Sequence, residues 1–207
     1  MIDRSNQILR QTPTWPLYAL APVPVVWLFW QGAIGGLGVE PVEVIEHQLG
    51  LWGLWGLIAG LCVSPLRRHV GLNLIKFRRA FGLITFFYIT LHLAVWAVLD
   101  VQIVSQMWAD VLKRPYITIG MLSFVMMVPL AATSTNAAIR RMGAVNWQRL
   151  HRMTYGVALL GALHFVMLAK GFQLEPLLYM CAVISLITMR TMRTLPKKQG
   201  SRMRRAS

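Results

Sequence analysis

Long apolar runs separated by short, mostly basic polar segments dominate the chain. Runs at about 15–34, 47–66, 80–99, 115–132, 150–169 and 174–192 each approach the roughly 20 residues that a helix needs to cross a hydrocarbon core. The pattern predicts an all-α, polytopic membrane protein: a six-helix transmembrane bundle in which 1–207 form one domain and 193–207 a basic tail. Pro16, Pro22 and Pro24 are expected to kink the first run, a distortion that neighbouring helices absorb. Arg4 and Arg10 ahead of it imitate a signal peptide, whose apolar region spans only about 7–15 residues and ends in a small-x-small site. This run is longer and continues into Gly35-Gly36-Leu37-Gly38, so it is expected to be retained. Gly50, Gly53, Gly56 and Gly60 line one face of the second run, and Gly56-x-x-x-Gly60 matches a helix-packing motif.

At 207 residues, 56% hydrophobic and 14% charged, the composition departs from that of soluble domains, and six spans leave no room for a nucleotide-binding module. A net charge of +14 would in a soluble protein suggest nucleic acid; here its distribution sets topology. Of the 21 Lys and Arg, all but Lys113, Arg114 and Lys170 fall on one side of the six runs. Six of the seven acids, Glu40, Glu43, Glu46, Asp100, Asp110 and Glu175, fall on the other. Because Lys and Arg mark the cytoplasmic side, both termini are expected there. Cys62 and Cys181 lie inside apolar runs and read as small core residues. Trp15, Trp27, Trp30, Trp108 and Trp147 fall near run ends, as an aromatic belt would.

Ionisable side chains within spans are costly and mark function by default. His92 follows Arg79 by thirteen residues and His164 follows Arg152 by twelve. At about 1.5 Å per residue, both rings are expected at one depth in the outer half of the bilayer. Two facing imidazoles suit the axial positions of a haem iron, with Gly161 and Ala162 leaving room beside the backbone; the plainer alternative is a pair of interhelical hydrogen bonds. His151 lies near the basic interface, thirteen residues before His164, and is equally readable as a second haem ligand or an interfacial residue. His47 and His69 read as ordinary interface residues. The inner arginines are able to hold a phosphate-bearing cofactor through bidentate contacts, although the topology rule accounts for them as well.

The segments Arg78-Arg79-Ala80-Phe81-Gly82-Leu83 leading to Leu91-His92, Arg114-Pro115-Tyr116-Ile117-Thr118-Ile119-Gly120, Thr133-Ser134-Thr135, and Trp147-Gln148-Arg149-Leu150-His151-Arg152-Met153-Thr154-Tyr155 leading to His164-Phe165 resemble the ferric-reductase-like transmembrane domain family over nearly the whole chain. The resemblance implies a b-type cytochrome of the bacterial inner membrane. It would carry electrons from quinol or a cytosolic flavin reductase to a periplasmic molybdopterin methionine-sulfoxide reductase, MsrP, in the repair of oxidised envelope proteins. It also implies FMN as a further cofactor beside haem b, and His92, His164 and His151 as candidate haem-iron ligands. Arg78 and Arg79 are candidate cofactor contacts. Relatives with two histidines on each of two helices would place the partner of His151 fourteen residues before His92, where this chain has Arg78; arginine stays protonated and is a poor ligand. No catalysis on the final substrate is expected from the chain itself. Rival readings are a cytochrome b subunit for another redox partner or for metal-ion reduction, and a haem-free transporter using His92 and His164 as a proton relay. The outer segments 35–46 and 100–114 are the sizeable candidates for partner docking.

Overall fold

The computed structural model describes residues 2–169 and 173–191, and all regular structure within them is helical. The expected tail at 193–207 and the turn beginning at Lys170 lie outside the described residues. A short helix α1 (Ile2–Gln11) precedes the first apolar run, which is split into α2 (Trp15–Leu20) and α3 (Pro22–Ala33). Pro22 opens α3 because a proline fits a first helical turn but has no N–H for an interior one. The freed geometry at the break is held by Tyr88, whose hydroxyl donates to the Ala21 carbonyl at 2.9 Å.

Helix α4 (Pro41–Pro65) widens beyond Pro65 into a π turn, Leu66–Val70, and stops at Gly71, whose φ of 80° suits a residue without Cβ. Helix α5 (Arg78–Val95) follows a 3-10 turn, Ile75–Phe77, and ends in a second π turn, Trp96–Val101. The chain continues through α6 (Val104–Lys113), α7 (Pro115–Ala132), α8 (Asn136–Met142), α9 (Ala144–His151), α10 (Met153–Leu168) and α11 (Leu174–Thr191).

Among the described residues, four helices are long and apolar enough to cross a membrane: Pro41–Val70, Ile75–Val101, Pro115–Ala132 and Leu174–Thr191. The two other expected spans are built differently. The 15–34 run is broken at Ala21, and the 150–169 run begins inside α9, passes the break at Arg152 and continues as the 16-residue α10.

Helix α4 is the hub. It packs along α5, touches α3, α10 and α11, and supplies buried residues to every core cluster: Ile45 and Leu49 with Val25, Leu28 and Val95; Leu54 and Leu61 with Ala158, Ala162 and Val183; Leu57 with Met127 and Val157. Close approach of α5 depends on the glycine face. A Cβ at Gly53 would overlap Ile89 and one at Gly56 would overlap Thr85, whereas nothing stands within 4 Å of a Cβ at Gly60. Only the first glycine of the Gly56-x-x-x-Gly60 motif is therefore a helix contact. Contrary to expectation Cys181 is exposed, on an outward face of α11, while Cys62 is half-buried.

Hydrogen bonds gather the basic segments at one end of the bundle. Asn6 of α1 bonds Gly71 O and Asn73 N, Lys76 Nζ donates to the carbonyls of Arg10 and Thr12, Arg79 donates to Asn136, and Arg190 donates to Ser64.

Candidate functional site

His92 on α5 and His164 on α10 meet inside the bundle with ring centroids 6.3 Å apart and planes at 75°. Each ring is fixed in the same way by a different neighbour. Nδ1 of His92 bonds the Glu46 carbonyl of α4 at 2.9 Å, and Nδ1 of His164 bonds the Tyr116 carbonyl of α7 at 2.7 Å. A carbonyl only accepts, so Nδ1 carries the hydrogen in both rings and Nε2 keeps its lone pair. Each carbonyl lies four residues before a glycine on its helix, and the imidazole occupies the space a side chain would take: a Cβ would lie 3.2 Å from His92 Nδ1 at Gly50 and 2.9 Å from His164 Nδ1 at Gly120.

This donor set fits a haem iron. With Nε2 free on both rings and ring centres 6.3 Å apart, the two imidazoles are close enough that they would hold one iron between them. Among the described residues no group of three or more His, Cys, Asp and Glu could hold a metal ion, so a bare ion would lack ligands. A porphyrin supplies four nitrogens and asks the protein for only two axial ligands. The backbone carbonyls orient the imidazoles and raise their basicity, the usual task of groups behind a metal ligand.

A second feature lies nearer the basic end: a cavity of about 400 Å³ among α4, α5, α7, α9, α10 and α11, within the size range of ligand pockets. Its wall includes Gly56, Gly60 and Gly82, its mouth Arg78 and Arg79, and its side His151 and Arg190. The inner wall holds Thr85 and Val157, each seven residues before the histidine on its own helix, a helical rise of about 10 Å. The cavity and the histidine pair are thus stacked along the bundle.

His151 is bound differently from the other two. Its Nε2 lies 3.1 Å from Thr133 Oγ1, which spends its own hydrogen on the Pro129 carbonyl at 2.6 Å, so the hydroxyl accepts and Nε2 donates. The ring is stacked on Trp147 at 3.9 Å and 25°, and Trp147 Nε1 donates to the Thr133 carbonyl at 2.9 Å. Trp147, expected in an aromatic belt, is half-buried in this network, while Trp15, Trp27, Trp30 and Trp108 are exposed. His47 meets the Phe165 ring edge-on at 5.5 Å, and His69 is exposed in the π turn after α4. Sequence reasoning gave no role to Arg190, counted only among the basic-side charges, or to Thr133, quoted only within the Thr133-Ser134-Thr135 segment; periodicity carries no mark of either, since each acts through residues distant in the chain.

Comparison with known proteins accords with this architecture. The family described as ferric reductase like transmembrane component matches residues 49–162, from mid-α4 through α10. The chain is 44% identical over 180 residues to the protein-methionine-sulfoxide reductase heme-binding subunit MsrQ of Brucella anthropi, covering 86% of this chain and 81% of that one. The proteins of the same name from Agrobacterium fabrum (42% over 180 residues, 86% and 83% covered) and Brucella ovis (43% over 185 residues, 88% and 83%) are equally similar. The matched family and the four apolar helices mark a multi-pass membrane protein. With identity of this level sustained over most of both chains, the protein belongs to the MsrQ branch of the ferric-reductase-like transmembrane family.

Proposed function

We propose that the protein is a transmembrane electron conduit in which His92 and His164 would hold a haem b. The observation that carries this reading is the pair of Nδ1–carbonyl hydrogen bonds, which present two Nε2 lone pairs from rings 6.3 Å apart. The bound haem would supply one-electron redox chemistry. The chain's own residues ligate and orient it, and apolar helices exclude water around it.

With the basic end read as cytoplasmic from the Lys and Arg bias, the pair would lie toward the periplasm and the cavity toward the cytoplasm. In this reading the cavity receives the input cofactor, FMN by family resemblance. Gly60 and Gly82, which leave open space where side chains would stand, admit a flat ring, and Arg78 and Arg79 stand at the mouth. His151 lines that site as a hydrogen-bond donor; to ligate a second haem through Nε2 it would have to leave Thr133. Electrons enter from quinol or a cytosolic flavin reductase and leave for a periplasmic methionine-sulfoxide reductase, MsrP, in a bacterial inner membrane. The relatives' name, heme-binding subunit of a protein-methionine-sulfoxide reductase, supports both the haem and the destination.

The test is the reduced-minus-oxidised visible spectrum of detergent-purified protein with pyridine haemochrome quantification, wild type beside His92→Ala and His164→Ala. A b-type spectrum whose histidine-pair haem is lost in both variants is expected, and the haem-to-protein ratio counts any further haem. A colourless wild type expressed with ample haem would overturn the reading in favour of a proton-relay transporter.

A further inference from the structure

Among the described residues, Arg190 is the one with a buried side-chain nitrogen that lacks a hydrogen-bond partner. It stands in the last turn of α11, between Thr188 and Thr191, and lines the cavity. Its Nη2 donates to Ser64 Oγ at 2.8 Å and its guanidinium stands 5.4 Å from the centroid of the Tyr155 ring. Nη1 is buried with no hydrogen-bond partner. No Asp or Glu lines the cavity, and the ion pair found among the described residues, Arg114 with Asp110, involves neither Arg190 nor the arginines at the mouth.

A half-buried guanidinium beside apolar helix walls is costly unless an acceptor, best an anionic one, meets its free N–H. Lys76 gives two of its three N–H donors to the carbonyls of Arg10 and Thr12 and is exposed, so water can satisfy the third. Arg78 and Arg79 are exposed to solvent at the mouth, where water can satisfy them. Ser64 and Tyr155 hold the Arg190 head in place from two sides, so the Nη1 donors have a fixed direction and little rotamer freedom to lose on binding.

We propose that Arg190 is the anchor for an acidic group, a phosphate or a carboxylate, on the cofactor that fills this cavity. The inference rests on the cavity being a cofactor site, and it adds which end of the cofactor points toward α11. Two sources share this chemistry, the phosphate of a flavin mononucleotide and the propionate of a haem.

Binding to the full-length, detergent-purified protein separates them, with His92–His164 haem content reporting that each variant is folded. For the flavin source, quenching of FMN and riboflavin fluorescence is titrated with wild type, Arg190→Gln and Arg190→Lys. Arg190→Gln is expected to weaken FMN binding about tenfold, the scale of one lost charge-assisted hydrogen bond, while riboflavin, which lacks the phosphate, binds wild type and variant alike; Arg190→Lys recovers part of the loss. For the propionate source, the same contrast is expected between haem and its dimethyl ester, read as haem bound beyond that held by the histidine pair. Unchanged binding of both acidic ligands in Arg190→Gln, or equal losses for the acidic and neutral forms, would overturn the role of Arg190. Gly60→Leu, which fills the cavity, tests the underlying reading separately: if it leaves both FMN and extra haem bound as in wild type, the cavity is not the cofactor site and the inference falls with it. Should Arg190→Gln lose the histidine-pair haem, Arg190→Lys decides, since full FMN and haem affinity together with unchanged discrimination would leave no role for the guanidinium fork.

Discussion

The Tyr116 carbonyl lies 2.7 Å from His164 Nδ1, one helical turn before the glycine on which that ring rests. A helical carbonyl already accepts from the N–H four residues on, so the imidazole takes the second lone pair. It can approach only because position 120 has no side chain. Glu46, Gly50 and His92 repeat the arrangement on α4 and α5. Two helices, α4 and α7, therefore set the tautomer of histidines on two others, α5 and α10.

Gly120→Ala should displace His164 and cost about tenfold in haem affinity, the usual scale for groups behind a metal ligand. Gly50→Ala should cost less, because its Cβ would meet His92 at 3.2 Å instead of 2.9 Å. Haem-to-protein ratios after dilution or apomyoglobin challenge measure both, and equal retention by the two variants would contradict the clamp.

His151→Ala and Thr133→Val should keep the wild-type haem-to-protein ratio, since His151 Nε2 donates to Thr133 in place of offering a lone pair. A fall of one half in haemochrome yield would instead make His151 an iron ligand.

Gly56→Ala should destabilise the protein by about 1–3 kcal/mol, the usual cost of overpacking, because Thr85 is fully buried and hydrogen-bonded to Phe81 O at 2.8 Å. Gly60→Ala faces open space and should leave the thermal midpoint in detergent unchanged. Equal shifts would mean that both glycines of the motif carry the packing.

Glu43→Lys should slow haem reoxidation by the periplasmic reductase more than Asp110→Lys does. Asp110 already faces Arg114 at 3.1 Å, which offsets part of its field, whereas Glu43 is exposed. The hydrogen bond and charge of Glu43 also hold the Glu40 carboxyl above the ordinary carboxylate range. Glu40 therefore takes up its proton sooner as pH falls, and coupling should weaken in acid earlier than for isolated carboxylates. Stopped-flow rates across pH and ionic strength check both points.

Hydropathy over windows of twenty residues was enough to determine a helical membrane protein, because burying a backbone in lipid leaves helices as the affordable form for such runs. Two histidines at matched distances from basic residues sufficed to bring out the pair, since depth in a helix is linear in residue number. What lay beyond one-dimensional spacing was decided by tertiary packing. Proline at position 22 split the first run, and the break at Arg152 shortened the fifth. His151 and His92 look alike in sequence, yet a threonine at the end of α7 occupies one Nε2 while a carbonyl on α4 frees the other. Trp147 and Arg190 resemble interfacial residues until α7 and α4 are placed beside them. Periodicity reports which face of a helix is apolar, but hydrogen-bond partners that fix a tautomer, or leave a guanidinium open, come from other helices and exist only once the bundle is assembled.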